Sequence, residues 1–211
     1  LALRRSNLSF GFSLTGYQFR IDDKKVRLYE FDEFYYDTEK SAIIPDANFG
    51  IYYSDPNLYA GISALQLFQN TFKLNDRDGA SFKMVRHYFI MAGYRFEVSD
   101  FNFLEPSFLI KTTDKFISQL DLTMKLYLKQ DYWAGISYRT GGSYSLAEES
   151  LHGGGSSIIL MAGARVDKFI FGYSFDYTLS AIGKRTYGSH EILLGARFGD
   201  NARRYRWLNR Y

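Results

Sequence analysis

The chain has 211 residues, of which 18% are aromatic and 23% are charged, and Lys and Arg outnumber Asp and Glu by 26 to 23. A disordered chain is poor in aromatic residues and rich in Pro and net charge, so 18 Tyr, 19 Phe and only 3 Pro exclude disorder. The lack of Cys excludes a disulfide scaffold and a cysteine-ligated metal site, and a net charge of +3 argues against a nucleic-acid partner.

Apolar residues recur at every second position along most of the chain, which is typical of a β-strand with one apolar and one polar face. The first such segment starts at Leu8, and the clearest runs from Phe169 to Leu179. Together these segments predict ten strands and no helix, at 8–15, 47–54, 57–67, 86–97, 101–112, 120–128, 132–140, 156–166, 169–179 and 191–198.

Two features of these strands favour a membrane barrel over a soluble β-sandwich. Several strands have about ten or more residues, the length that a tilted strand needs to cross a bilayer, whereas soluble strands average about five or six. Their polar faces carry charges in mid-strand, which suit the polar lumen of a barrel but not the dry core of a sandwich. The predicted lumen charges are Arg95, Glu105, Lys111, Asp121, Lys125, Arg139, Arg165, Asp176, Glu191 and Arg197.

The links between the strands alternate in length, as the periplasmic turns and outer loops of outer-membrane barrels do. The outer links are 21–46, 68–85, 113–115, 141–155 and 180–188, of which only 113–115 is short. The periplasmic links are 55–56, 98–100, 130–131 and 167, and this order places the C-terminus in the periplasm. The sequence therefore predicts an all-β fold: a transmembrane outer-membrane β-barrel of antiparallel up-and-down strands. A soluble β-protein is the alternative.

Several segments, which together span residues 44–199, resemble the PorP/SprF family of outer-membrane proteins of the Bacteroidota. The resemblance is carried by PDANFGIYY at 45–53, NLYAGIS at 57–63, HYFIMAGY at 87–94, LEPS at 104–107, YWAGISYR at 132–139, FGYSFDY at 171–177 and GSHEILLG at 188–195. It implies a role in type IX secretion and gliding motility, with surface adhesins or a periplasmic secretion ring as partners. It also implies a barrel of about fourteen strands, so we expect the remaining strands to precede Leu1.

Residues 1–199 are accordingly predicted to be the C-terminal part of a larger barrel, and residues 200–211 a basic, aromatic periplasmic tail. Two segments are candidates for contacts with protein partners, because exposed apolar clusters usually mark interfaces. One lies in the first outer link and the other in the tail. The partner-binding candidates are Phe31, Phe34, Tyr35, Tyr36, Arg203, Arg204, Tyr205, Arg206, Trp207 and Arg210.

Catalytic and metal-binding patterns are weak. The sequence Ser189-His190-Glu191 suggests a hydrolase pair, but neighbouring residues on a strand point to opposite faces. Asp46 and Asp55 could bind a divalent cation, yet the closely spaced oxygen ligands of a calcium loop are missing. We therefore predict a non-enzymatic protein without a cofactor, catalytic residue or metal site.

Aromatic residues near the predicted strand ends are expected to form girdles at the membrane surfaces, where amphipathic rings prefer to lie. They are Tyr52, Tyr53, Tyr59, Tyr88, Tyr132 and Trp133. The leading interpretation is an outer-membrane anchor for a secretion or adhesion machine, with lipid and protein partners. A FadL-like or porin-like channel for small solutes is the alternative, and the sequence does not separate the PorP and SprF branches.

Overall fold

The structure is a computed structural model that describes residues 2–3, 6–21, 40–73, 81–114, 116–129, 131–140, 142–145, 151–153, 156–179 and 187–198. Every regular element in these ranges is a β-strand. The strands are β1 (Ala2–Leu3), β2 (Ser6–Ile21), β3 (Lys40–Ser54), β4 (Leu58–Leu65), β5 (Thr71–Lys73), β6 (Ser81–Lys83), β7 (His87–Tyr94), β8 (Phe96–Ser99), β9 (Asn102–Thr113), β10 (Phe116–Leu128), β11 (Tyr132–Arg139), β12 (Gly142–Ser145), β13 (Leu151–Gly153), β14 (Ser157–Val166), β15 (Phe169–Thr178) and β16 (Ser189–Ala196). Across the same ranges, no helix has the length and apolar character needed to cross a membrane.

Eleven strands follow one another in a single antiparallel up-and-down sheet, in the order β1-β2-β3-β4-β7-β9-β10-β11-β14-β15-β16. The short strands β8, β12 and β13 flank this path, and β5 and β6 form a separate hairpin. All ten predicted strands are present, as β2, β3, β4, β7, β9, β10, β11, β14, β15 and β16. Within the described residues the sheet does not close into a ring, because β16 pairs only with β15.

The predicted outer links contain more regular structure than expected. Strand β2 continues to Ile21 and pairs there with Lys40 at the start of β3, so the prediction of a loop over 40–46 is wrong. The links 68–85 and 141–155 contain the short hairpins β5–β6 and β12–β13. Alternation did not reveal these strands, because only a strand in contact with lipid must place an apolar side chain at every second position.

The register assigns every long strand a polar face and an apolar face. Asp121 pairs with Arg139 on the next strand, and Lys125 pairs with Glu105 on the previous one, so these side chains share the polar face. Leu122, between them, lies on the apolar face and is 49% exposed, whereas Glu105 and Asp121 are buried. Polar residues are thus covered and apolar ones exposed, the reverse of a soluble domain and the arrangement expected of a wall between lipid and a polar interior.

This assignment of faces predicts how the sheet tolerates charge. Leu122→Arg places a cation in mid-strand on the apolar face and should lower the free energy of unfolding by roughly 2–4 kcal/mol. Lys125→Arg introduces the same side chain on the polar face, three residues along β10, and should have little effect. Denaturant titration of the protein in phospholipid vesicles measures both. Equal loss of stability in the two variants would contradict the assignment.

Candidate functional site

The polar face holds two clusters of bonded charges. In the first, Arg95 donates hydrogen bonds to Glu105 Oε2 from Nη2 at 2.6 Å and from Nε at 3.2 Å. The hydroxyl of Tyr59 donates to the other oxygen of Glu105 at 3.4 Å, and the guanidinium of Arg95 lies 4.9 Å from the ring centroid of Tyr127. Both charges are nearly buried, with side chains 11% and 5% exposed. A buried ion pair with this many partners fixes the geometry of the wall.

The second cluster is centred on Arg139. Its Nε donates to Asp121 Oδ1 at 3.1 Å, and its Nη1 donates to Asp176 Oδ2 at 3.0 Å. Gln119 donates a further hydrogen bond to Asp121 at 2.7 Å. Because β14 lies between the strands of Arg139 and Asp176, the arginine joins β10, β11 and β15 across β14.

The other predicted lumen charges are placed on the same face. Arg165 pairs with Asp131 at 2.9 Å at the opposite end of the wall. Asp131 lies in the turn before β11 and was not predicted, since a turn residue gives no alternation signal. Glu191 accepts a hydrogen bond of 3.4 Å from Ser174. The described ion pairs do not include Lys111 or Lys125.

Three of the six predicted girdle aromatics are on the wrong face for that role. Tyr52, Tyr59 and Trp133 share the polar face with the charges, so the girdle prediction fails for them. Their rings lie over glycines of adjoining strands. A Cβ atom at Gly93 would stand 2.3 Å from the Tyr59 hydroxyl, and one at Gly163 would stand 2.0 Å from the Trp133 ring. The missing side chain of each glycine thus provides the space for a large ring.

The residues Pro45–Asn48, in the middle of β3, hold the link that follows β4. Asp46 Oδ1 accepts hydrogen bonds from the backbone N–H of Ala47 at 2.7 Å and of Phe68 at 3.2 Å. Asn48 Oδ1 accepts from the N–H of Gln66 at 3.1 Å, and its amide donates to Ser13 and Thr15. These two side chains attach the beginning of the link after β4 to the inner surface of β3.

Asp46 is the most completely buried charged residue described, at 1% exposure, and its Oδ2 has no hydrogen-bond partner. A buried carboxylate is costly unless compensated. The pKa of Arg86 is raised above its usual value mainly by a hydrogen bond with the Tyr88 hydroxyl and, to a smaller extent, by the negative charge of Asp46, so the two charges attract each other. Arg86 also donates to the carbonyl of Leu67 at 2.7 Å, which ties it to the same link.

The weak catalytic and metal patterns are separated by the fold. His190 lies on the apolar face, where its Nδ1 is 2.7 Å from the Tyr173 hydroxyl, while Ser189 and Glu191 lie on the polar face. Asp46 lies in the middle of β3, whereas Asp55 follows its last residue and accepts two backbone N–H groups in the turn before β4. In the part of the chain that the structure describes, no three His, Asp or Glu residues are grouped as metal ligands.

The predicted partner-binding residues lie outside the described part of the chain. Phe31, Phe34, Tyr35 and Tyr36 fall in residues 22–39, and the tail candidates Arg203, Arg204, Tyr205, Arg206, Trp207 and Arg210 fall in residues 199–211. They remain predictions.

The contacts of Asp46 predict a local change when it is replaced. Asp46→Ala removes the acceptor of the Phe68 N–H, so that amide should exchange with solvent faster, by an amount that corresponds to roughly 1–3 kcal/mol of lost protection. Asp46→Asn keeps the acceptor oxygen and should preserve protection. Hydrogen exchange on the folded protein in lipid nanodiscs measures both, with Asp55→Ala, just beyond the last residue of β3, as the control. Unchanged exchange of Phe68 in Asp46→Ala would show that the carboxylate does not hold the link.

Comparison with known proteins supplies the family. A search of curated proteins gives no match to this chain. Residues 1–196 match the family described as Type IX secretion system membrane protein PorP/SprF. This match covers most of the sequence, and the up-and-down sheet with its exposed apolar face is the fold that an outer-membrane β-barrel family requires. The chain therefore belongs to the PorP/SprF family of type IX secretion system membrane proteins.

Proposed function

We propose that this protein is a non-enzymatic outer-membrane barrel that anchors part of the type IX secretion or gliding machinery. The observation that carries the proposal is the bonding of the polar face. Arg95 and Arg139 are held against carboxylates of the same wall, which gives a rigid interior rather than a set of free charges for a passing solute. A rigid frame in the membrane leaves recognition to the links and the tail.

The proposed orientation has the long links at the cell surface and the C-terminus in the periplasm. In this orientation Phe31, Phe34, Tyr35 and Tyr36 would meet a secreted surface adhesin. The basic tail of residues 200–211 would meet a periplasmic ring component, with Tyr205 and Trp207 as rigid anchors among four arginines. The two partners correspond to the SprF and PorP branches of the family, respectively.

Two variants test whether these segments bind partners. Deletion of 199–211 should leave the sheet folded, because β16 ends at Ala196, and should reduce recovery of a periplasmic partner. Replacement of the four aromatics at 31, 34, 35 and 36 by Ser should instead reduce recovery of a surface partner. Affinity purification from gently solubilised membranes, followed by mass spectrometry, measures both. If each variant recovers the same partners as the parent, the anchoring role loses its support.

A FadL-like or porin-like channel is the second candidate, and conductance separates it from an anchor. We expect the purified parent to show little steady current in planar bilayers, because Arg95, Arg139 and Arg165 are paired with carboxylates of the wall. Arg139→Ala would leave Asp121 and Asp176 without their shared cation, so any remaining current should become more cation-selective. A large and steady conductance of the parent protein would favour the channel over the anchor.

A further inference from the structure

The polar face is divided into a charged region and a neutral one. The bonded charges stand on β9 and the strands that follow it, together with Arg95 immediately before β8. Over 9–11 of β2, 50–52 of β3, 61–63 of β4 and 89–91 of β7, the same face carries no charged side chain. A cavity of ≈340 Å³ lies against this neutral region, and its lining includes Gly11, Gly50, Gly61, Tyr52, Phe89 and Met91.

The shape of this groove follows from its residues. Gly11 and Gly50 are cross-strand partners, and Gly50 is the partner of Ser63 on the next strand, so three adjacent strands present almost no side chain. On β7, the larger side chains of Phe89 and Met91 border this region. The groove therefore has a floor of small residues and one apolar wall. It favours an apolar ligand, because burial of the ligand's surface against the wall removes that surface from water.

A cation lies on the strand next to the apolar wall of the groove. Lys111 is the cross-strand partner of Phe89, on the polar face of β9, and side chains in such a pair are about 5 Å apart at Cβ. The ion pairs found among the described residues join Arg95, Arg139 and Arg165 to carboxylates and leave Lys111 outside. An apolar groove with an ammonium group at one side fits a ligand that has an alkyl chain and an anionic head.

We propose that the groove binds a single unbranched alkyl chain that ends in a carboxylate, with the chain along Gly11 and Gly50 and the carboxylate at Lys111. A cavity of about 150 Å³ takes up one benzene, so ≈340 Å³ has room for roughly a dozen carbon atoms. This volume is at the low end for small-molecule sites and suits one chain rather than the two chains of a phospholipid. The proposal does not depend on the anchoring role.

Three variants of the full chain test the site, each in nanodiscs free of detergent. The ligands are dodecanoate and dodecanol, and their binding is measured by the displacement of a fluorescent probe, a dansylated undecanoate. Gly11→Leu fills the groove, because a Cβ there meets only the Gly50 carbonyl at 4.0 Å. Gly16→Leu is the matched control: it makes the same change on β2, where a Cβ meets nothing within 4 Å, but on the apolar face. Lys111→Gln removes the charge and leaves the groove open. Heat-modifiable gel mobility verifies that each variant folds.

We expect Gly11→Leu to weaken both ligands by about tenfold or more, and Gly16→Leu to bind like the parent. Lys111→Gln should weaken dodecanoate by about tenfold and leave dodecanol unchanged. The proposal is overturned if Gly11→Leu binds the two ligands as tightly as Gly16→Leu does. It is also overturned if the parent's preference for dodecanoate over dodecanol is no greater than that of Lys111→Gln. Displacement of the probe by short-chain phosphatidylcholine as effectively as by dodecanoate would also overturn it, in favour of a membrane lipid. If Gly11→Leu does not fold, the comparison of the two ligands in Lys111→Gln still decides.

Discussion

The need to satisfy every backbone hydrogen bond is the constraint on which the rest of this structure depends. In a bilayer no water is available to an unpaired N–H or C=O group, and each such group costs several kcal/mol. Strands β3 to β15 along the main path therefore pair on both sides. Once the pairs are fixed, the face of every side chain is fixed as well, since a shift of one residue would exchange the two faces of a strand.

Side chains on the polar face then join strands that the backbone does not. Arg139 connects β11 with β10 and β15, and Arg95 connects the break between β7 and β8 with Glu105 on β9. Gly93 and Gly163 also help to join neighbouring strands, because the rings of Tyr59 and Trp133 on the adjoining strands fill the space above them. The interior surface of the wall is therefore specified by interlocking pairs of large and small residues and by the ion pairs of Arg95 and Arg139, while the apolar face only has to be compatible with lipid.

The alternation of apolar residues was enough to predict the ten long strands, because lipid requires an apolar side chain at every second position. It was not enough for residues 40–46, where β3 extends as a paired strand without that requirement. The alternation along each strand predicted the face on which Asp121, Arg139 and Asp176 lie. Their contact, however, depends on the register of four neighbouring strands, which no single segment of the sequence determines. The girdle prediction for Trp133 was wrong, although the alternation already indicated the face on which it lies. Trp133 is two residues from Gly135 and six from Arg139, and residues an even number of positions apart on a strand share a face.

The hydrogen bonds of Asp46 and Asn48 could not be read from the sequence, because their partners are backbone groups some twenty residues away. One signal was available: the segment Pro45–Asn48 places two polar side chains on one face of a strand, beside a proline that cannot donate to the ladder. Two polar side chains placed in this way can bond backbone groups of another segment, as Asp46 and Asn48 do with Phe68 and Gln66.

The order of the strands also has a consequence for assembly. In the described residues, each strand of the main path pairs with the one that follows it there, so contacts form between segments that are close in the chain. A sheet of this kind can grow one hairpin at a time without first closing a long loop. At each stage, however, the last strand added presents a full row of unpaired backbone groups. Until its successor arrives, that growing edge must remain in water or be covered by an insertion factor, because lipid cannot satisfy it.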